Sequence, residues 1–144
     1  MATDREDDMT TELHSPAGLL HPAPYRHVAV TTGSRQVHIA GQTAHDDAGN
    51  LVAPDDLAGQ VTHALRNVGR ALTAASATFS DVVRLTFYVT RWTPEKMTDL
   101  MAGFAGAADE LDLPQPLPPS SLIGVEALFV PDVLVEVEAT AVTD

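Results

Sequence analysis

The feature that most constrains the fold is a strict alternation near the C-terminus. Five small apolar residues occupy every second position from Val133 to Ala141. The residues between them form the opposite set: Leu134, Glu136, Glu138 and Thr140. Successive side chains of a strand point to opposite faces, so this segment predicts a β-strand with one apolar face. We expect that face to pack against helices.

The opposite face of this strand, with its two glutamates, has two interpretations. It is exposed to solvent, or it is buried against other copies of the chain with its charges compensated across subunits. A sheet covered by two helices makes a thin core for a chain of 144 residues, which favours the second interpretation.

Apolar residues at spacings of three and four predict two helices, over Leu57–Ala75 and over Met97–Leu111. The segment between them, Val82–Thr90, alternates and predicts a strand. Its predicted apolar face consists of Val83, Leu85, Phe87 and Val89.

Shorter β-type runs complete the pattern. Arg26–Thr31 and Gln36–Ala40 are separated by a turn-like segment, which predicts a hairpin. Ser121–Leu128 predicts a strand before the last one. Together the elements predict one α/β (α+β) domain over residues 21–144, with a mixed sheet and two helices on one face. Residues 1–20 are acidic and lack periodicity, so we expect a disordered tail.

The charge balance excludes several classes of partner. The chain has 8 basic and 20 acidic side chains, a net charge of −12. Nucleic acids and anionic membranes need clustered Lys and Arg, so we expect neither as a partner. No apolar run approaches the roughly 18 residues of a membrane span, and the acidic N-terminus is the reverse of a signal peptide. We therefore expect a cytoplasmic protein.

The two glutamates of the last strand could carry chemistry. Glu136 and Glu138 project from one face, where a half-buried acid beside another acid can serve as a general acid or base. The same pair could instead neutralise Arg84 across the sheet or line an acidic surface. The spacing alone does not decide between these interpretations.

Metal and cofactor binding are not expected. Cysteine is absent, which excludes thiolate zinc sites, disulfides and cysteine nucleophiles. No phosphate-binding loop, dinucleotide fingerprint or His-Glu-x-x-His motif occurs. Three histidines lie near one another in sequence, but their spacing is irregular: His27, His38 and His45.

Several short segments, taken in order, resemble the RidA/YjgF family. They are Ala23-Pro24-Tyr25, Ala40-Gly41-Gln42, Asp81-Val82-Val83-Arg84 and Val135–Ala139. The likeness extends from Pro22 to Val142. The resemblance implies a chorismate-mutase-like fold and a homotrimer whose sheets pack into a central barrel. It also implies small-molecule clefts at the three subunit interfaces.

Family members with the best-known activity hydrolyse reactive enamines and imines and release ammonia. An Arg in a Pro-Ala-Arg-Ser segment clamps the substrate carboxylate, and a Glu in the last strand helps to place or activate the attacking water. This sequence departs from the family at four positions: Ser120 replaces the Arg, Leu122 a Cys, Ala40 a Ser and Asp99 an Asn. It keeps Tyr25, Gly41, Gln42 and Glu136.

These departures predict an altered substrate. A cleft that loses a guanidinium and gains Asp99 beside Glu136 should repel a carboxylate by about 2–3 kcal/mol when partly desolvated. We therefore expect a deaminase-like hydrolase that acts on a neutral or cationic imine, enamine or related amide. The expected roles are Glu136 as base, Tyr25 as wall and hydrogen-bond donor, Ser120 and Ser121 as polar anchors, and Trp92 as an aromatic wall.

Three alternatives stay open at this point. An arginine of an adjacent subunit (Arg26, Arg84 or Arg91) could replace the lost charge. Trp92 could be a rim residue that packs on a neighbour. The protein could also be a non-catalytic small-molecule-binding or regulatory member of the family, or a specialised pathway enzyme that uses the same cleft.

Overall fold

Residues 10–144 are described by a computed structural model, and they form six strands and two α-helices. In chain order these are β1 (Thr11–His14), β2 (Val28–Thr31), β3 (Arg35–Gln42), α1 (Leu57–Ala74), β4 (Val82–Thr90), α2 (Met97–Leu111), β5 (Ser120–Val125) and β6 (Val135–Thr143). Two short 3-10 turns, Phe79–Asp81 and Pro94–Lys96, lead into β4 and α2.

Four strands form a mixed sheet in the order β3-β6-β4-β5. Strand β6 is antiparallel to both of its neighbours, whereas β5 runs parallel to β4. The helices share one buried cluster with β4 and β6, in which the rings of Phe87 and Phe104 lie 5.1 Å apart. The predicted fold class, a mixed sheet with two helices on one face, is confirmed.

Strand β6 alternates as its sequence predicts. The apolar residues, from Val133 to Ala141 at every second position, are 0–4% exposed. The residues between them are half-buried on the other side. We call that other side the glutamate face; its side chains from β4 and β6 are Arg84, Thr86, Tyr88, Glu136, Glu138 and Thr140.

The predicted apolar face of β4 was wrong at one position. Val82, and not Val83, joins the buried core, with 2% of its surface exposed. A β-bulge is the reason, because Val82 pairs with Ala141 while Arg84 already pairs with Thr140. The extra residue reverses the alternation before Leu85, and from there the prediction is confirmed.

The predicted hairpin of β2 and β3 was also wrong. Strand β2 pairs with β1, from Thr11 opposite Thr31 to His14 opposite Val28, and β3 pairs with β6. Two short alternating runs do not specify their partners, and the long strand β6 offers β3 a longer ladder. Strand β1 lies inside the predicted tail of residues 1–20, of which residues 1–9 lie outside the described part of the chain.

Both helices begin and pack for local reasons. The Asp56 side chain caps α1 by accepting from the Gly59 N–H at 2.9 Å. Gly103 lets α2 approach α1, since a Cβ there would lie 2.6 Å from Cγ1 of Val61. Within residues 10–144 neither helix combines the length and apolar composition needed to cross a bilayer.

Gln60 fixes the entry into β6. Its side chain is fully buried, and Nε2 donates to the carbonyl oxygens of Ala53 and Asp132, both at 3.2 Å. Its Oε1 accepts from the Leu134 N–H at 2.9 Å. One amide thus satisfies three backbone groups at the entry into β6, whose first residue directly precedes Glu136.

Candidate functional site

The two glutamates of β6 lie side by side on the glutamate face, but only one is tethered. Tyr88 on β4 pairs with Glu136, and its hydroxyl donates to Oε1 of Glu138 at 2.7 Å. This hydrogen bond, followed by burial and the charges of Glu138 and Glu136, raises the pKa of Tyr88 above its ordinary value of 10.0, while Arg84 acts in the opposite direction. Tyr88 was not among the site residues predicted from the sequence, although its place on the polar side of β4 could have indicated a contact with the glutamates.

Glu136 packs against Gly41 of the neighbouring strand. Ile39 pairs with Ala139 and Gln42 pairs with Val137, so β3 carries an extra residue between these pairs. In this bulge a Cβ on Gly41 would lie 2.6 Å from the carboxyl carbon of Glu136. The Ala40-Gly41-Gln42 segment and Glu136 are therefore neighbours, as the resemblance implies.

Arg84 also belongs to the glutamate face. Its Nη2 donates to Oγ of Ser121 on the edge strand β5. Arg84 and Glu138 line one shallow pocket of about 250 Å³ together with His38, Thr86 and Thr140. The guanidinium is thus held beside Ser121 and not beside Ser120.

Tyr25 and Ser120 lie on the opposite, helix-covered side of the sheet. Tyr25 is held there by backbone bonds of its neighbours: the Arg26 N–H donates to the Leu117 carbonyl at 2.7 Å, and the Leu117 N–H donates to the Pro24 carbonyl at 2.9 Å. The Ser120 hydroxyl donates to the Pro118 carbonyl at 2.7 Å.

These residues line a small, almost wholly apolar cavity of about 80 Å³, which we call the Tyr25 cavity. Besides Tyr25 and Ser120, its principal walls are Phe87, Met97, Leu100 and Leu122. Within residues 10–144, no basic side chain lines this cavity. A ligand group placed there would find almost only apolar surface and no cation.

One chain therefore divides the candidate residues between two sides of the sheet. Ser120 pairs with Leu85 of the core, whereas Ser121 pairs with Thr86 of the glutamate face. Tyr25, Ser120 and Leu122 accordingly lie on the helix side. The second group consists of Ala40, Gly41, Ser121 and Glu136. Gln42 follows the β3 bulge and pairs with Val137 of the core, so it lies on the helix side.

Two further candidates lie apart from both groups. Trp92 packs against Gly124, whose ideal Cβ would lie 3.0 Å from the Trp92 Cβ. Gly124 is four residues along β5 from Ser120, a distance of about 13 Å. Asp99 is exposed in the first turn of α2. Within one chain, neither residue joins Glu136.

His27, His38 and His45 each have a local partner. His27 Nε2 lies 2.8 Å from the Leu20 carbonyl, His38 Nε2 lies 3.2 Å from Oε1 of Gln36, and His45 Nδ1 lies 2.7 Å from the Thr43 hydroxyl. In the part of the chain that the structure describes, no three His, Cys, Asp or Glu side chains are grouped so that they could hold a metal ion.

Comparison with known proteins identifies the family. A family model described as endoribonuclease L-PSP matches residues 18–143. A similar crystal structure is that of YyfB from Yersinia pestis, a Rid-family protein described as being of unknown function. The two sequences are 34% identical, the match covers 93% of this chain and 99% of the YyfB chain, and the TM-score is 0.81. The chain belongs to the RidA/YjgF family.

Two other solved RidA/YjgF structures are similar. Rv2704 from Mycobacterium tuberculosis is 30% identical over 93% of this chain and 100% of its own, with a TM-score of 0.58. The YjgF gene product of Escherichia coli is 26% identical over 77% of this chain and 83% of its own, with a TM-score of 0.65. The resemblance inferred from the sequence is confirmed.

Proposed function

We propose that this RidA/YjgF protein is a small-molecule hydrolase of the deaminase type, acting on an imine, enamine or related C–N compound that carries no carboxylate. Family membership supports the reaction class. The observation that carries the substrate class is the Tyr25 cavity, whose described walls include Ser120 and no basic side chain.

The proposed reaction uses Glu136 as the base. The carboxylate accepts a proton from water, whose oxygen attacks the imine carbon. Glu136 passes this proton to the nitrogen, which gives a carbinolamine. Glu136 then takes the proton of the carbinolamine hydroxyl and delivers it to the nitrogen as the C–N bond breaks, so that ammonia leaves and a carbonyl product remains. Tyr25 would form a wall and donate a hydrogen bond. Ser120 and Ser121 would anchor the substrate, and Leu122, Ala40, Gly41 and Gln42 would line the cleft.

We propose that the complete site forms between copies of the chain. Tyr25 and Ser120 lie on one side of the sheet and Glu136 on the other, so one chain cannot present them to a single small molecule. In a homotrimer whose sheets form a central barrel, the glutamate face of one copy would complete the Tyr25 cavity of the next. Trp92 and Asp99 would reach the cleft only in such an assembly.

Charge supports the exclusion of carboxylate substrates. Arg84 is held at Ser121, on the opposite side of the sheet from Ser120. A carboxylate in the cleft would meet Glu136, and in the assembly also Asp99, while the guanidinium that shares the glutamate face, Arg84, is engaged by the Ser121 hydroxyl. This repulsion amounts to about 2–3 kcal/mol in a partly desolvated site.

The family description names an endoribonuclease, but charge favours a small molecule as the substrate. RNA binding depends on clustered basic side chains, and this chain has a net charge of −12. The proposed reaction needs no metal or cofactor, and we propose a cytoplasmic protein without nucleic-acid or membrane partners.

An ammonia-release assay tests the proposal. Freshly generated imines with and without a carboxylate are supplied to the wild-type protein, Glu136→Gln and the matched variant Glu138→Gln. We expect turnover of the carboxylate-free imine, a loss of about 10²-fold or more in Glu136→Gln, and a much smaller loss in Glu138→Gln. Light scattering on the same samples should give the mass of three chains.

Each unexpected result removes a different part of the proposal. Faster turnover of the carboxylate-bearing imine would overturn the substrate class. Activity that survives Glu136→Gln would remove Glu136 as the base. A stable monomer would eliminate the shared cleft. The absence of turnover with both imines, together with retained ligand binding, would establish the non-catalytic alternative.

A further inference from the structure

The backbone at Gly41 does not itself require glycine. Among residues 10–144, the glycines with a positive φ angle are Gly18 and Gly49. Gly41 lies in strand β3 outside that region, so an alanine could adopt the same backbone conformation without strain. Another constraint must keep a side chain out of this position.

That constraint is Glu136. The three atoms nearest to an ideal Cβ on Gly41 all belong to the Glu136 side chain: a carboxylate oxygen, Cδ at 2.6 Å and Cγ at 2.8 Å. A methyl group at position 41 would occupy the space that the carboxylate fills. Glu136 would have to rotate away from β3.

The two glutamates are held in different ways. Glu138 accepts the Tyr88 hydroxyl at 2.7 Å. Glu136 has no hydrogen-bond or ion-pair partner within residues 10–144. Its carboxylate is therefore positioned by the space that Gly41 leaves, and its oxygens stay available to a ligand or water.

We propose that Gly41 is a positioning residue for Glu136, because its missing side chain creates the space in which the reactive carboxylate is held. The inference rests on the proposed function, in which Glu136 activates water. A misplacement of about 1 Å in a catalytic group can cost about 10²-fold in rate.

Gly41→Ala tests the inference. The clash is with the end of a flexible, half-buried side chain, so the variant should fold with a melting temperature close to that of the wild type. We expect its kcat for the carboxylate-free imine to fall by about 10- to 100-fold while KM stays within about twofold. Crystal structures of both proteins should place the Glu136 carboxylate over Gly41 in the wild type and rotated away in the variant.

Gly106→Ala is the matched control. A Cβ at Gly106 would lie 2.7 Å from the Thr62 hydroxyl, which crowds a side chain between the helices and away from both candidate groups. Its kcat should equal that of the wild type. An equal loss in both variants would assign the effect to general crowding and overturn the inference.

The crystal structures separate this inference from the proposed function. A Glu136 side chain that keeps its position in Gly41→Ala would overturn the positioning role, whatever the assay shows. If Glu136 moves and kcat does not change, positioning by Gly41 has no catalytic role and the inference fails. A wild-type protein without turnover would defeat the proposed function, while the two structures would still decide whether Gly41 sets the position of Glu136.

Discussion

The two faces of the central sheet are built from alternate residues of the same strands, yet they organise their side chains differently. On the helix-covered face, Val135 and Val137 are fully buried among apolar neighbours, and packing alone holds them. On the glutamate face, Glu138 is placed by a hydrogen bond and Glu136 by the space at Gly41. One face thus provides stability, and the other holds acids in defined positions.

The largest expected difference between the faces is seen with Val137→Asp. An unpaired carboxylate in the buried core should lower the free energy of unfolding by about 4 kcal/mol or more, which is enough to unfold many domains. Glu136→Gln, one residue away on the opposite face, should change it by less than about 1 kcal/mol. Urea denaturation of both variants measures the two changes in the free energy of unfolding. Similar decreases in both variants would mean that the two faces are equally buried.

Gln60→Leu tests the side chain that holds the entry into β6, the strand whose residues contribute to both faces. The substitution keeps the volume but removes the partners of the Leu134 N–H and of the Ala53 and Asp132 carbonyls. We expect a loss of about 2–4 kcal/mol in the free energy of unfolding, because buried backbone groups remain unpaired. Ser76→Ala, at an exposed position beyond α1, serves as a reference and should leave the unfolding midpoint unchanged.

Tyr88→Phe should give the smallest effect, and it depends on pH. The pKa of Tyr88 is raised by its hydrogen bond to Glu138, so the stabilisation is fully present below pH 10.0 and is lost as the pH rises through the higher folded-state value. Unfolding midpoints at a series of pH values should show a wild-type advantage below pH 10.0 that shrinks above it. An advantage independent of pH would contradict this role of the hydrogen bond.

Local patterns in the sequence predicted most of the fold. The alternation of β6 and the two helices were confirmed, because burial of one side forces a period of two in strands and 3.6 in helices. The choice of strand partners was not predictable in the same way. The local pattern predicted a hairpin of β2 and β3, but β2 pairs with β1, since the runs that form β2 and β3 have no register preference strong enough to select a partner.

For the site, the sequence alone determined the residue types: a pair of glutamates on one side of β6, a serine at position 120, and an acidic chain without clustered cations. Only the tertiary structure decided which of these residues meet. The bulge in β3 brings Gly41 to Glu136, the register of β4 brings Tyr88 to Glu138, and the parallel register of β5 separates Ser120 from Ser121. The physical reason is that periodicity records which side of an element is buried, whereas contacts between strands depend on register, and a single extra residue in a bulge changes the register.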